Sequence, residues 1–168
     1  LSDHKVRSCH TTCQTAQEKA VTEGLITVNP AIGCRLPPKK AKEMQVLTQD
    51  EIRRFLIQAN EEGYYEFFLL ELTTGMRRGE ILGLQWKDVN FATGELHIRR
   101  QVVKKGAQTQ ITKPKTKSSI RTLILPPDML DILAEHKKNA TCEWVFPSPV
   151  KEGEPRSPDS IYGKFQKI

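Results

Sequence analysis

Two kinds of side chain in this sequence suit chemistry on an anion. Arg77 follows the turn Thr74-Gly75 and opens the segment Met76 to Asp88; Lys115 lies in Lys113-Pro114-Lys115-Thr116-Lys117-Ser118, among many other cations. A phosphodiester in its transition state needs cations at its non-bridging oxygens and a proton for the leaving oxygen. Arginine can clamp such oxygens at two points and keeps its charge at any working pH. Lysine can deliver a proton, especially where neighbouring positive charge lowers its pKa. Each residue also has an ordinary alternative as a solvated surface charge, so the elements that hold them decide the matter.

Gly75 makes a sharp chain reversal cheap, because glycine takes positive φ without steric cost. An amphipathic helix is expected after it, with Arg77 and Arg78 on its first turn and Ile81, Leu82, Leu84 and Trp86 on its apolar side. Arginine there faces the positive end of the helix dipole, which does not stabilise the helix but suits an anion site.

The surrounding elements read as mixed helix and strand. Ser2 caps a helix from about Asp3 to Glu23, and Asn29-Pro30 suggests a short helix ending near Gly33. Arg35 to Gln45, with two prolines and three lysines, reads as a linker. Thr48 and Glu51 form a capping box, with Leu47 and Ile52 at the staple positions. The helix that follows carries Ile52, Phe55, Leu56 and Ala59 on one side, and Tyr64 to Leu72 reads as a buried helix. Glu95–Lys104, Gln108–Thr112 and Ser119–Leu125 read as three strands of one antiparallel sheet, with Lys115 at the tip of a basic hairpin. Pro127 to Lys138 is a second amphipathic helix, Trp144 to Phe146 a short buried strand, and Ser157-Pro158 opens a last helix. The fold class is therefore α+β, mainly helical with a small three-stranded antiparallel sheet. The expected divisions are 1–34, 35–46 as linker, and 47–168.

Charge narrows the partner. The net charge is +6, but residues 96–126 hold eight cations and no carboxylate. Such a field usually meets a polyanion. Candidate phosphate contacts are Lys39, Lys40 and Lys42 in the linker, and Arg99, Arg100, Lys104, Lys105, Lys113, Lys117 and Arg121 in the block. No apolar run is long enough to span a bilayer, so no membrane partner is expected. Cys9 and Cys13 lack a second pair of ligands for zinc, so the four cysteines read as reduced thiols of a cytoplasmic protein and no metal is expected.

Residues 74–88, together with Lys113 to Ser119 and Arg121 to Pro126 in the same order and spacing, resemble the tyrosine recombinase or phage integrase family of mobile elements and prophages. The resemblance covers nearly the whole chain; Leu47 to Glu51 resembles the entry into that family's catalytic domain, and residues before Arg35 resemble the end of its core-binding domain. It implies that Arg77 grips a scissile phosphate and that Lys115 protonates the 5′ oxygen, with Lys117 as the rival lysine and Glu80 in support. It further implies double-stranded DNA as substrate, self-association of the full-length protein on DNA, no small-molecule substrate, and no cofactor, since a phosphotyrosyl link conserves the bond energy. The family also uses a later His-x-x-Arg motif and a nucleophilic tyrosine. His4 to Arg7 and His97 to Arg100 match the letters but precede the required place, as do Tyr64, Tyr65 and Tyr162 for the nucleophile. The expectation is a recombinase piece inactive by itself. The competing expectations are a non-catalytic DNA-binding module and a domain whose positive sheet meets an acidic protein.

Overall fold

The structure, a computed structural model, describes residues 2–38, 45–106, 108–113 and 120–168. The chain divides into two compact units, Leu1–Val46 and Leu47–Ile168.

The first unit is built on helix α1, Asp3–Thr22. Ser2 caps it, its hydroxyl accepting from the Lys5 N–H at 3.4 Å. Gly24 ends it with φ +71°. No residue of α1 is buried. The segment after it is held largely by one buried amide. Asn29 donates to the Gln14 carbonyl (3.1 Å) and to Glu18 Oε2 (2.8 Å), and accepts from the Ala31 N–H (2.9 Å). The short helix expected after Pro30 is instead a turn, closed by the Ile32 N–H on the Asn29 carbonyl at 3.2 Å. The stretch from Asn29 to Gly33 is too short for a helix to gain its i→i−4 bonds.

The second unit begins with α2, Gln49–Glu61, whose capping box forms as the local sequence requires: Glu51 accepts from the Thr48 N–H (2.7 Å) and the Thr48 hydroxyl accepts from the Glu51 N–H (3.3 Å). Its inner side carries Ile52, Phe55, Leu56 and buried Ala59. Helix α3, Tyr65–Thr74, buries Phe67, Phe68 and Leu70. Gly75 then takes φ +61° and stops it, as a left-handed cap does. Helix α4 is only Arg78–Leu82, followed by a single 3-10 turn at Trp86–Asp88. The long amphipathic helix expected to Asp88 thus ends at Leu82, with Gly83 as its C-cap against the Arg100 main chain.

Two small sheets follow. Strands β1 (Val89–Asn90), β2 (Glu95–Ile98) and β5 (Arg121–Ile124) form a three-stranded antiparallel sheet in the order β1-β2-β5. Strands β3 (Gln101–Lys105) and β4 (Gln108–Thr112) form a separate antiparallel hairpin. The single strand expected from Glu95 to Lys104 is therefore two strands with different partners, parted at Arg99-Arg100. Ile98 lies opposite Arg121, so residues 99–120 leave the sheet and return to it at one place.

The core closes over these pieces. Leu96 and Ile98 of the sheet, Val102 of the hairpin, Ile81 and Leu82 of α4, and Leu133 of helix α5 (Pro127–Lys138) are all essentially inaccessible. Each such side chain contributes roughly 1.5–3 kcal/mol of transfer free energy. The segment Trp144 to Phe146 is buried and pairs with residues 84–86: the Val145 N–H donates to the Leu84 carbonyl (3.0 Å) and the Trp86 N–H to the Glu143 carbonyl (2.9 Å). Helix α6, Pro158–Phe165, packs Ile161 inward.

Two glycines set how closely α4 meets the hairpin. A Cβ on Gly79 would stand 2.6 Å from the Val102 carbonyl oxygen, and one on Gly83 would stand 2.9 Å from the Arg100 carbonyl oxygen. The neighbours are main chain and cannot swing aside. Glycine is required at both positions for the strand to lie against the helix.

Candidate functional site

Arg77 is the N-cap of α4, with φ −69° and ψ 143°. Its own N–H is bonded to Glu80 Oε2 at 3.0 Å. The N–H of Arg77 is thus taken up by Glu80, and the charge available to a ligand at this end of α4 is the guanidinium. That guanidinium is anchored at one point, Nη1 to Glu80 Oε1 at 3.0 Å, while the side chain remains 73% exposed.

Glu80 is the centre of the arrangement. It is 1% exposed, in a short helix whose Ile81 and Leu82 are also fully buried. A carboxylate so placed requires compensation. It receives four hydrogen bonds: the two from Arg77, and a fork from Arg121, whose Nη1 reaches Oε1 at 3.2 Å and whose Nη2 reaches Oε2 at 3.0 Å. Burial pulls its pKa upward, but the bonds from Arg121 and Arg77 outweigh this and hold the carboxyl below the usual range. Glu80 is ionised at neutral pH and ties the turn after α3 to the first residue of β5.

Asp88 repeats the motif nearby in sequence. It is also 1% exposed, accepts from the Gln85 N–H at 3.0 Å, and is paired with Arg100. Arg100 also donates to the Gly83 carbonyl at 3.2 Å and its side chain is only 17% exposed, so its charge faces inward. Arg99 lies 3.7 Å from Asp88 Oδ1 and is half-exposed.

The structure thus brings together Arg77, Glu80 and Arg121 in one cluster, and Arg99 and Arg100 on Asp88. Lys104 and Lys105 stand at the far end of the hairpin, opposite Thr109 and Gln108, and Lys104 is paired with Asp159 of α6. Lys113 is exposed at the hairpin's base. Among the described residues, the cations of the hairpin are spread along it. Thr112 pairs with Gln101 at the hairpin's base, and the tip is at Lys105–Gln108. Lys115, Lys117, Lys39, Lys40 and Lys42 lie outside the described residues. Among the described residues no three His, Cys, Asp or Glu side chains gather as a metal site, and Cys9, Cys13 and Cys34 are exposed free thiols. No described helix is long and apolar enough to cross a membrane.

The roles of Arg121 and Asp88 are not legible from sequence, where charge makes Arg121 a phosphate contact and position makes Asp88 a helix end. One signal is present. Glu80 falls at apolar spacing between Met76 and Leu84, which marks it as buried and in need of a cation.

Residues 45–168 match the phage integrase family. The chain belongs to that family. Curated relatives include a XerC-like tyrosine recombinase of Caldanaerobacter subterraneus, 30% identical over 81% of this chain and 39% of its own length. The ICEBs1 integrase of Bacillus subtilis is 29% identical over 82% of this chain and 38% of its own. The chain therefore spans about two fifths of the length of these relatives. Among solved structures, the Tn1549 transposon integrase in complex with circular intermediate DNA superposes with a TM-score of 0.82 over 99% of this chain and 59% of that one, at 20% identity. A lambda integrase tetramer bound to a Holliday junction gives 0.65 over 94% of this chain and 44% of that one, also at 20% identity. These likenesses establish the α+β integrase fold.

Proposed function

We propose that these residues carry the phosphate-gripping part of a tyrosine recombinase, an enzyme that breaks and rejoins DNA strands in site-specific recombination. The observation that carries the reading is the Arg77 guanidinium: held by a buried carboxylate, yet open to solvent. An anchored, outward guanidinium is suited to the non-bridging oxygens of a scissile phosphate. In the full-length enzyme a tyrosine attacks the phosphorus, a 3′-phosphotyrosyl bond forms, and the 5′ oxygen leaves with a proton. Lys115, with Lys117 as its rival, is proposed as the source of that proton. A nucleophilic tyrosine in the family's place is not among these 168 residues, so the chain alone is proposed to bind DNA without cleaving it.

The exposed cations Arg77, Arg99, Lys105 and Lys113, joined by the lysines at 39, 40, 42 and 117, are proposed to meet the DNA backbone. The relatives' names and the DNA-bound integrase structures support double-stranded DNA as partner and assembly on it; the exposed thiols fit a reducing cytoplasm. The residues 1–34 are proposed as the end of a core-binding domain, with 35–46 as linker.

The test is binding of the chain to a random duplex of about 30 bp by fluorescence anisotropy. Roughly eight phosphate contacts predict a log–log salt slope of about −7, or about a ten-thousandfold loss between 50 and 200 mM salt. A salt-independent affinity would overturn the reading. In the full-length recombinase, Arg77→Ala should still bind DNA yet form no covalent adduct. No adduct from the unaltered full-length protein, with Arg77→Ala weakening binding no more than the loss of any other cation, would favour a non-catalytic DNA-binding module.

A further inference from the structure

We infer that Arg121 is a positioning residue that keeps Arg77 facing outward, rather than a phosphate contact in its own right. The inference rests on the phosphate-gripping role of Arg77 and adds what makes that role available.

Glu80 is shared unequally. Arg121 engages both of its oxygens with both terminal nitrogens and is 31% exposed. Arg77 engages one oxygen with one terminal nitrogen and is 73% exposed. A buried carboxylate needs a cation with good geometry, and a fork from arginine is the strongest form available. Arg121 supplies it, from a rigid place: it opens β5 and lies opposite Ile98, which is fully buried. With that demand met, Arg77 needs only a single tether, and its other nitrogens stay open to a ligand. Without Arg121, Arg77 is the cation left on Glu80 among the described residues. It would be drawn into the fork itself and lose its outward face.

The same bond places a constraint on the chain between them. Arg121 is the first described strand residue after 114–119, the segment that holds Lys115. Tying it to Glu80 fixes the start of β5 to the turn bearing Arg77.

The test is a double-mutant cycle read by duplex affinity at low salt, with Arg77→Ala, Arg121→Ala and the pair, and with tryptophan fluorescence as the control for folding. If Arg121 acts through Arg77, each single change weakens binding about five- to tenfold, and the double variant is no weaker than Arg77→Ala alone. Losses that multiply would make Arg121 an independent phosphate ligand and overturn the inference. A second measurement needs no DNA. In nitrogen-15 NMR of the folded chain, hydrogen exchange at the Arg77 guanidinium should slow in Arg121→Ala, as it forks onto Glu80. Arg121→Lys, which keeps a charge beside the carboxylate, guards against misfolding and should give an intermediate rate. An Arg77 signal unmoved by either variant would overturn the inference. If the unaltered chain fails to bind duplex, the proposed function falls, while the NMR result still decides the role of Arg121.

Discussion

Replacing Glu80 by glutamine preserves its shape and removes its charge. Four hydrogen bonds end on the carboxylate, three of them from guanidinium groups. The glutamine amide could accept at one oxygen only, and its NH2 would point hydrogens at donors. Breaking a buried ion pair from one side costs about 3–5 kcal/mol. The lower end applies, because Arg77 is largely exposed and Arg121 partly so, and both recover water. About 3 kcal/mol is the working figure. With a urea slope of about 1.5 kcal/mol/M, the midpoint falls by about 2 M, and Tm by roughly 10 °C. Both tryptophans, Trp86 and Trp144, are buried in the second unit, so their fluorescence follows that unit alone. The effect also depends on pH. A depressed folded pKa stabilises above the unfolded value and is lost as pH falls through the folded one. The gap between wild type and Glu80→Gln should hold from about pH 7 to 5 and narrow below about pH 4. A midpoint shift under about 0.5 M at unchanged slope, or a gap that does not narrow in acid, would refute the account of Glu80 as an ionised hub.

Other perturbations address the elements around it. Gly79→Ala should destabilise by about 1–3 kcal/mol, because its Cβ meets the Val102 carbonyl, whereas Gly163→Ala in α6, with open space around it, should stabilise by about 0.5–1 kcal/mol; urea midpoints of the two variants decide this. Thr48→Ala removes the capping hydroxyl of α2 and should cost about 1 kcal/mol, with earlier hydrogen exchange confined to the first turn. Glu71, half-buried on α3, has its carboxyl pushed up by burial, only partly opposed by Arg78. A raised acid pKa disfavours the fold as pH rises through it, so Glu71→Gln should stabilise at neutral pH and lose that advantage in acid, as paired melts at about pH 7 and 3.5 would show.

Features that depend on a few adjacent residues can be read from the sequence. The Thr48–Glu51 capping box and the left-handed Gly75 are set by local chemistry, and both stand where the residues place them. Features decided across the fold cannot. Glu95 to Lys104 alternates like a single strand, yet Arg100 leaves the ladder because the Gly83 carbonyl and Asp88 offer it a better place. The partner of Glu80 lies 41 residues away, and no single-sequence pattern relates a carboxylate in a helix to a particular arginine in a strand. The contact of Gly83, the C-cap of α4, with the Arg100 carbonyl is likewise decided across the fold.

The excursion between Ile98 and Arg121 has an evolutionary consequence. Its two ends are neighbours in the sheet, and past Val102 none of its described residues is buried in the core. Lengthening a loop whose ends are already joined costs little, about 0.6 kcal/mol per doubling. The outer end of the ribbon, past Lys104, can therefore grow, shrink or change its residues while Arg77 stays in place. A lineage could alter its reach across a target in this way without touching the reaction centre. The same tolerance makes Gly106, with φ +63°, a natural point for inserting a reporter.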